Sequence, residues 1–134
     1  MALDAALHTS MQTIPECLAS GYIDMTSGML LGVQTSEEHS QDTLDTLAAA
    51  AADLFQGASV TEFGRKFNEA TGGTGSDEHY FQEIIIFSSN LLHVFMRSKA
   101  WPDQVLCYIC RSSANPGLVL TKARMSLEAV SGAV

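Results

Sequence analysis

No lysine or arginine occurs in residues 1–64, a stretch that carries nine acidic side chains; all seven basic residues lie in 65–134, beside six acids. The net charge of −8 is therefore a property of the front half, about −9, against about +1 behind it. Such a surface repels nucleic acid and anionic membranes, since a phosphate binder must neutralise its target with Lys and Arg. It either attracts a basic patch on a partner protein or simply keeps the chain soluble. Long apolar runs are also missing: 46% of residues are apolar, yet no stretch approaches a membrane helix in length. The start, MALDAALHTSMQTIPE, has neither the basic residues nor the apolar block of a secretory signal. Three cysteines are too few for a disulfide framework, and reduced cytoplasmic thiols are the simpler reading. The 134 residues suffice for one domain with a real core, spanning 1–134.

The most informative stretch is 104–130, QVLCYICRSSANPGLVLTKARMSLEAV. Val105 to Cys110 is an apolar, partly β-branched run of strand length. Asn115 suits a helix N-cap and Pro116 the first helical position, where its missing N–H costs nothing. Leu120, Ala123, Leu127 and Val130 then recur at helical spacing.

Upstream, Leu3, Leu7, Met11 and Ile14 predict a short helix over 2–14, stopped by Pro15. Residues 17–25 and 29–35 read as two strands joined through Thr26-Ser27-Gly28 in a hairpin. Residues 37–56 give the strongest helix, capped by Ser36 or Glu37, favoured by Glu37, Glu38 and Asp42 at its start, and ended by Gly57. Leu44, Leu47, Ala48, Ala51, Leu54 and Phe55 form its apolar stripe, while Thr46, Ala49, Ala50 and Ala52 make the other face small. Either a second subunit's copy of this helix covers that face, or the alanines are there only for helix propensity.

Residues 57–78 are the least regular part: Val60, Phe63 and Phe67 allow a brief helical turn, and the Gly-rich ATGGTGSDE is expected to be mobile, making 56–78 a mobile connection. Strands follow at 79–88, 91–98 and 104–112, separated by a tight turn at Ser89-Asn90 and a break at Trp101-Pro102-Asp103. The order α-β-β-α-β-β-β-α, with hairpin-length links, predicts an α/β fold with a five-stranded antiparallel sheet and helices packed on it.

Reaction chemistry finds little support. Cys107 and Cys110 form a C-x-x-C on a strand, where residues three apart point to opposite faces. A redox pair of that kind belongs at a helix N-terminus. Gly72-Gly73-Thr74-Gly75 is followed by Ser76-Asp77-Glu78-His79, an acidic lead into a strand rather than a phosphate-binding helix. His79 with Asp77 and Glu78, and the scattered His8, His39 and His93, show no ligand spacing. No G-x-S-x-G elbow is present. Arg65 and Lys66 lie in the irregular connection, where nothing places an arginine finger at a nucleotide. Phe81, Ile85 and Phe87 share one strand face, as core or as dimer contact.

The hairpin GYIDMTSGMLLGV, the helix segment LAAAAADLF and the Ala-Asn-Pro-Gly-Leu-Val helix start, in this order and spacing, resemble the roadblock/dynein light chain family over nearly the whole chain. The 56–78 connection is longer than in compact members. The resemblance implies a profilin-like sandwich assembled as a homo- or heterodimer, in which the central helices pair and the third strands join into one continuous sheet. That maps to 40–55 and 80–87, with Leu47, Ala50, Ala51, Leu54, Phe81, Glu83 and Ile85 as dimer-interface residues. It also implies no catalytic residue, cofactor or metal. Members of the family act as scaffolds or regulators, often of small Ras-like GTPases; eukaryotic ones serve dynein or lysosomal signalling complexes. The expectation is a non-enzymatic, cytoplasmic homodimer that regulates or scaffolds such a GTPase. The alternative is a ligand-sensing module of a related sandwich fold, which a closed apolar pocket favours and a filled core weakens.

Overall fold

The computed structural model describes residues 2–36, 41–71 and 81–134, with side chains from Asp45 onward in the second helix. Its elements are α1 (Ala2–Thr13), β1 (Cys17–Asp24), β2 (Met29–Thr35), α2 (Gln41–Gln56), α3 (Ala58–Ala70), β3 (Glu83–Phe87), β4 (Leu91–Arg97), β5 (Gln104–Arg111) and α4 (Pro116–Ser131). The strands make one antiparallel sheet in the order β2-β1-β5-β4-β3. β1 with β2, β3 with β4 and β4 with β5 pair as hairpins, and β1 with β5 closes the two halves into a single sheet. β5 lies at its centre, with Val105–Tyr108 buried on both faces. Its near-unbroken apolar sequence follows from that position.

α1 and α4 cover one face. Leu3 and Leu7 of α1 and Val119, Ala123 and Val130 of α4 share a cluster with Tyr22, Leu92, Val94, Met96, Leu106, Tyr108 and Cys110. α2 covers the other face: Ala48, Ala51 and Phe55 pack with Ile23, Met25, Phe95, Val105 and Cys107. Cys107 and Cys110 thus fall in opposite clusters, as strand alternation requires.

Local chemistry sets most boundaries. Asn115 caps α4 by accepting from the Leu118 N–H at 3.1 Å, with Pro116 opening the helix. In the β1–β2 turn the Asp24 carboxylate accepts from the Thr26 N–H at 3.2 Å and the Ser27 hydroxyl at 3.0 Å, and Gly28 takes φ 72°. After Pro15, Glu16 adopts φ 53°, a conformation uncommon outside glycine. It is held there because its carbonyl accepts from the Arg111 N–H at 3.1 Å and its carboxylate from the Ser113 hydroxyl at 2.7 Å.

Residues 58–70 correct the reading of an irregular connection: they form a thirteen-residue helix, α3. Val60, Phe63 and Phe67 are the visible part of its apolar spacing, and Gly64, buried within it, interrupts the pattern. Glu62, Arg65, Lys66 and Glu69 pair along its outer side at three- and four-residue spacing, which supports an exposed helix. The Gly-rich 72–75 segment, the Asp77-Glu78-His79 group, the start of the strand expected from 79, and the cap expected at 37 lie outside the described residues. β3 begins at Glu83, so Phe81 precedes the strand and escapes its alternation. Phe81 packs with Ile84 and Ile86 in the α2-side cluster and stacks on Phe63 of α3 at 6.4 Å between ring centres. The expectation that it shares a face with Ile85 and Phe87 is therefore corrected.

Candidate functional site

α2 turns its exposed side outward as Asp45, Thr46, Ala49, Ala50 and Asp53. Thr46, Ala49 and Ala50 of the small face were legible in the sequence, whereas Ala52, expected with them, is half-buried against the α2-side cluster. Asp45 and Asp53 stand one turn to either side of Ala49, so the exposed stripe is small at its centre and acidic at both ends. Along the same helix, Ala51 is fully buried against the sheet, and Leu47 and Leu54 are half-buried at the margins of that packing. Of the four α2 residues singled out from the sequence, Ala50 alone is exposed.

β3 forms one edge of the sheet, paired among the described residues with β4 alone. Its side chains alternate: Ile84 and Ile86 enter the α2-side cluster, while Glu83, Ile85 and Phe87 point the other way. Ile85 is 38% and Phe87 57% exposed, an apolar strip on an open strand edge. Glu83 is already engaged within the chain: its carboxylate accepts two bonds from the Arg124 guanidinium of α4, at 2.8 and 2.6 Å. This fork holds the Glu83 carboxyl below the usual carboxylate range.

Beside α2, over the sheet, an apolar pocket of about 410 Å³ opens along the exposed Thr46 and Ala50 side of the helix. Leu18, Val33, Leu91 and Ile109 line it from the strands, and Leu47 and Ala50 from the helix. Glycine and alanine at 21, 19 and 50 leave the space that larger side chains would fill. His93 stands in its wall, and burial pushes the imidazole pKa down, so the ring is held neutral. Nothing in the linear chain signals this space, because its lining comes from strands that are far apart along it.

Arg97, at the end of β4, is 4% exposed. Its Nε donates to the Phe81 carbonyl at 3.0 Å, Nη1 donates to the Pro102 carbonyl, and the guanidinium lies over the Phe55 ring. It ties together the approach to β3, the β4–β5 turn and the end of α2. Arg65, by contrast, is occupied on the surface by Glu62 and Glu69. Among the described residues no helix is long and apolar enough to cross a membrane, and no three His, Cys, Asp or Glu side chains converge as a metal site.

No family model and no curated relative matches the sequence. Solved structures do. The chain is similar to a roadblock/LC7 domain from Streptomyces avermitilis, with a TM-score of 0.69 at 17% identity over 98% of this chain and 97% of that one. Myxococcus xanthus MglB gives 0.70 at 12% identity over 97% and 92%. The gliding protein MglB of Thermus thermophilus gives 0.71 at 16% identity over 98% and 87%. At such identities the likeness speaks for architecture: this chain has the roadblock-type, profilin-like fold.

Proposed function

We propose that the chain is a self-associating scaffold or regulator without catalytic chemistry of its own, acting in the cytoplasm on a small Ras-like GTPase. The observation that carries this reading is the β3 edge, which among the described residues has one neighbour strand and bears exposed Ile85 and Phe87. An open apolar edge invites a further strand, and a second copy supplies one under two-fold symmetry. The small centre of the α2 stripe, around Ala50, offers a close approach for the partner helix, with Leu47 and Leu54 beside it. Ala51 and Phe81 then support the interface from beneath. The roadblock-type fold supports the same reading, since a resemblance to that family implies regulators of small GTPases. Any effect on GTP turnover comes from positioning residues of the GTPase itself.

Sedimentation velocity of the wild type and of Ile85→Lys tests the assembly. A dimer at micromolar concentration that the variant dissociates is the expected result; a wild-type monomer overturns it. For the partner, GTP turnover by a co-purified GTPase is measured with and without this protein. Absence of binding to every small GTPase of the source organism sinks that part.

The pocket beside α2, apolar but open rather than closed, is the observation behind a second reading, a sensor for a small apolar ligand. A rise in the denaturation midpoint with a medium-chain alcohol, abolished by Ala50→Trp at the pocket lining, supports it. An unchanged midpoint discards it.

A further inference from the structure

Cys17 and Cys110 stand opposite each other on neighbouring antiparallel strands, β1 and β5. Both enter the core under α1 and α4, in the cluster that holds Ile14, Leu92 and Ala114. A break in register between Cys17 and Ala19 makes this possible. Ala19 faces Ile109, on the α2 side of the sheet; regular alternation would send Cys17 to that side as well. The irregularity at Leu18 turns Cys17 over to the face of Cys110. Opposed residues of an antiparallel pair hold their Cα atoms about 4.5–5.5 Å apart, within the roughly 4.4–6.8 Å that a disulfide spans.

The two thiols are unequal in a useful way. Cys17 is half-buried and reachable from solvent, whereas Cys110 is buried. The Cys17 thiol donates to the Ala19 carbonyl oxygen at 3.3 Å. The nearness of the Cys110 thiol lowers the pKa of Cys17, and that of Cys17 raises the pKa of Cys110. The member that an oxidant can reach is therefore also the one whose thiolate, the reacting form, is favoured over that of its buried neighbour. Cys107 sits on the opposite face, and burial pushes its thiol up to about 12.

We propose that Cys17 and Cys110 are a modification site: a dithiol that a hydroperoxide closes into one reversible intramolecular disulfide. The Cys17 thiolate attacks the terminal peroxide oxygen, the O–O bond breaks, and the leaving alkoxide takes a proton to give an alcohol, or water when the oxidant is hydrogen peroxide. Cys17 is then a sulfenic acid. The Cys110 sulfur attacks it, the S–S bond forms, the S–O bond breaks, and the departing hydroxide leaves as water with the Cys110 proton. The two thiols lose two electrons in all and the peroxide gains them. An added dithiol returns both cysteines by exchange. The bond fastens the start of β1 to the end of β5, where α1 hands the chain to the sheet.

The test is peroxide treatment of the full-length native protein, alkylation of remaining thiols, and peptide mapping by mass spectrometry. The expected product loses two hydrogens, keeps one of three thiols, and links the peptide with Cys17 to the peptide with Cys107 and Cys110. Dithiothreitol reverses the link, Cys107→Ser retains it and Cys17→Ser abolishes it. A link that disappears in Cys107→Ser overturns the assignment. So does wild-type protein in which Cys17 is over-oxidised while Cys110 stays open to alkylation after unfolding. Fragmentation of the cross-linked wild-type peptides assigns the bond to Cys110 or Cys107 directly, so a failure of Cys107 or Cys110 variants to fold does not affect the outcome.

Discussion

The Arg97 guanidinium lies 5.2 Å from the centre of the Phe55 ring, joining the end of β4 to the last turn of α2 through a cation–π contact. The same group donates to the Phe81 and Pro102 carbonyls, so three segments without a common strand or helix converge on one buried cation. Removing it strands two carbonyl oxygens. Arg97→Met is expected to cost roughly 2–3 kcal/mol, read from the urea midpoint at constant slope. Arg97→Lys recovers only part, because an ammonium has no planar fork to address both carbonyls. Equal stability of Lys and wild type contradicts this role.

Ala50 and Ala51 separate assembly from folding. Ala51 is fully buried, so Ala51→Glu places a charge in the α2-side core and the variant is expected not to fold cooperatively by circular dichroism. Ala50 is exposed, and Ala50→Glu is expected to keep the wild-type melting curve while shifting the sedimentation coefficient to that of a monomer. Each copy carries −8, with Asp45 and Asp53 flanking the small patch. Self-association is accordingly expected to tighten between low and moderate salt, as screening weakens that repulsion. Association that weakens over the same range argues against an interface on this face.

Gly32 marks how closely α1 approaches β2. A Cβ at that position would lie 2.9 Å from Leu3 Cδ2 and 3.1 Å from Leu7 Cδ1. Gly32→Ala therefore displaces both leucines, at about 1–3 kcal/mol. Combining it with Leu3→Ala is expected to yield less than the summed losses, since the second change removes the clash. Full additivity in a double-mutant cycle contradicts the contact.

His93 makes stability sensitive to mild acid. Its pKa in the folded chain is depressed from 6.5 by burial, so the unfolded chain takes up the proton first. Stability is unaffected by this group above the unfolded value and falls as pH drops below it, until the folded pKa is also passed. Removing the imidazole in His93→Gln is expected to flatten the decline of unfolding free energy as pH falls below 6.5. Parallel curves for wild type and variant would show that the ring is solvated in both states.

Asn115 with Pro116, Pro15 after α1, and Asp24 to Gly28 in the first turn act on backbone groups within a few residues of themselves. Their outcomes were legible in the linear chain, as was the apolar stripe of α2. α3 was only half legible, since a buried glycine and the Gly-rich run beyond it dilute a spacing that Phe63 and Phe67 do carry. The start of β3 was misplaced because the chain joins that strand only at Glu83, after Phe81 has turned to Phe63.

By itself, then, the sequence determined the Asn115 cap of α4, the first hairpin turn, the strand-length runs other than β3 and the acidic front half, all set by dihedral preference, nearby hydrogen bonds and composition. Only the tertiary structure decided that Ala51 is spent on the core while Ala50 stays exposed beside the pocket, and that Arg97 joins three segments. It also decided that the register break beside Leu18 brings Cys17 to Cys110. These depend on strand register and helix placement, where one residue of slip reverses a face, and the energies that choose the register come from residues far away along the chain.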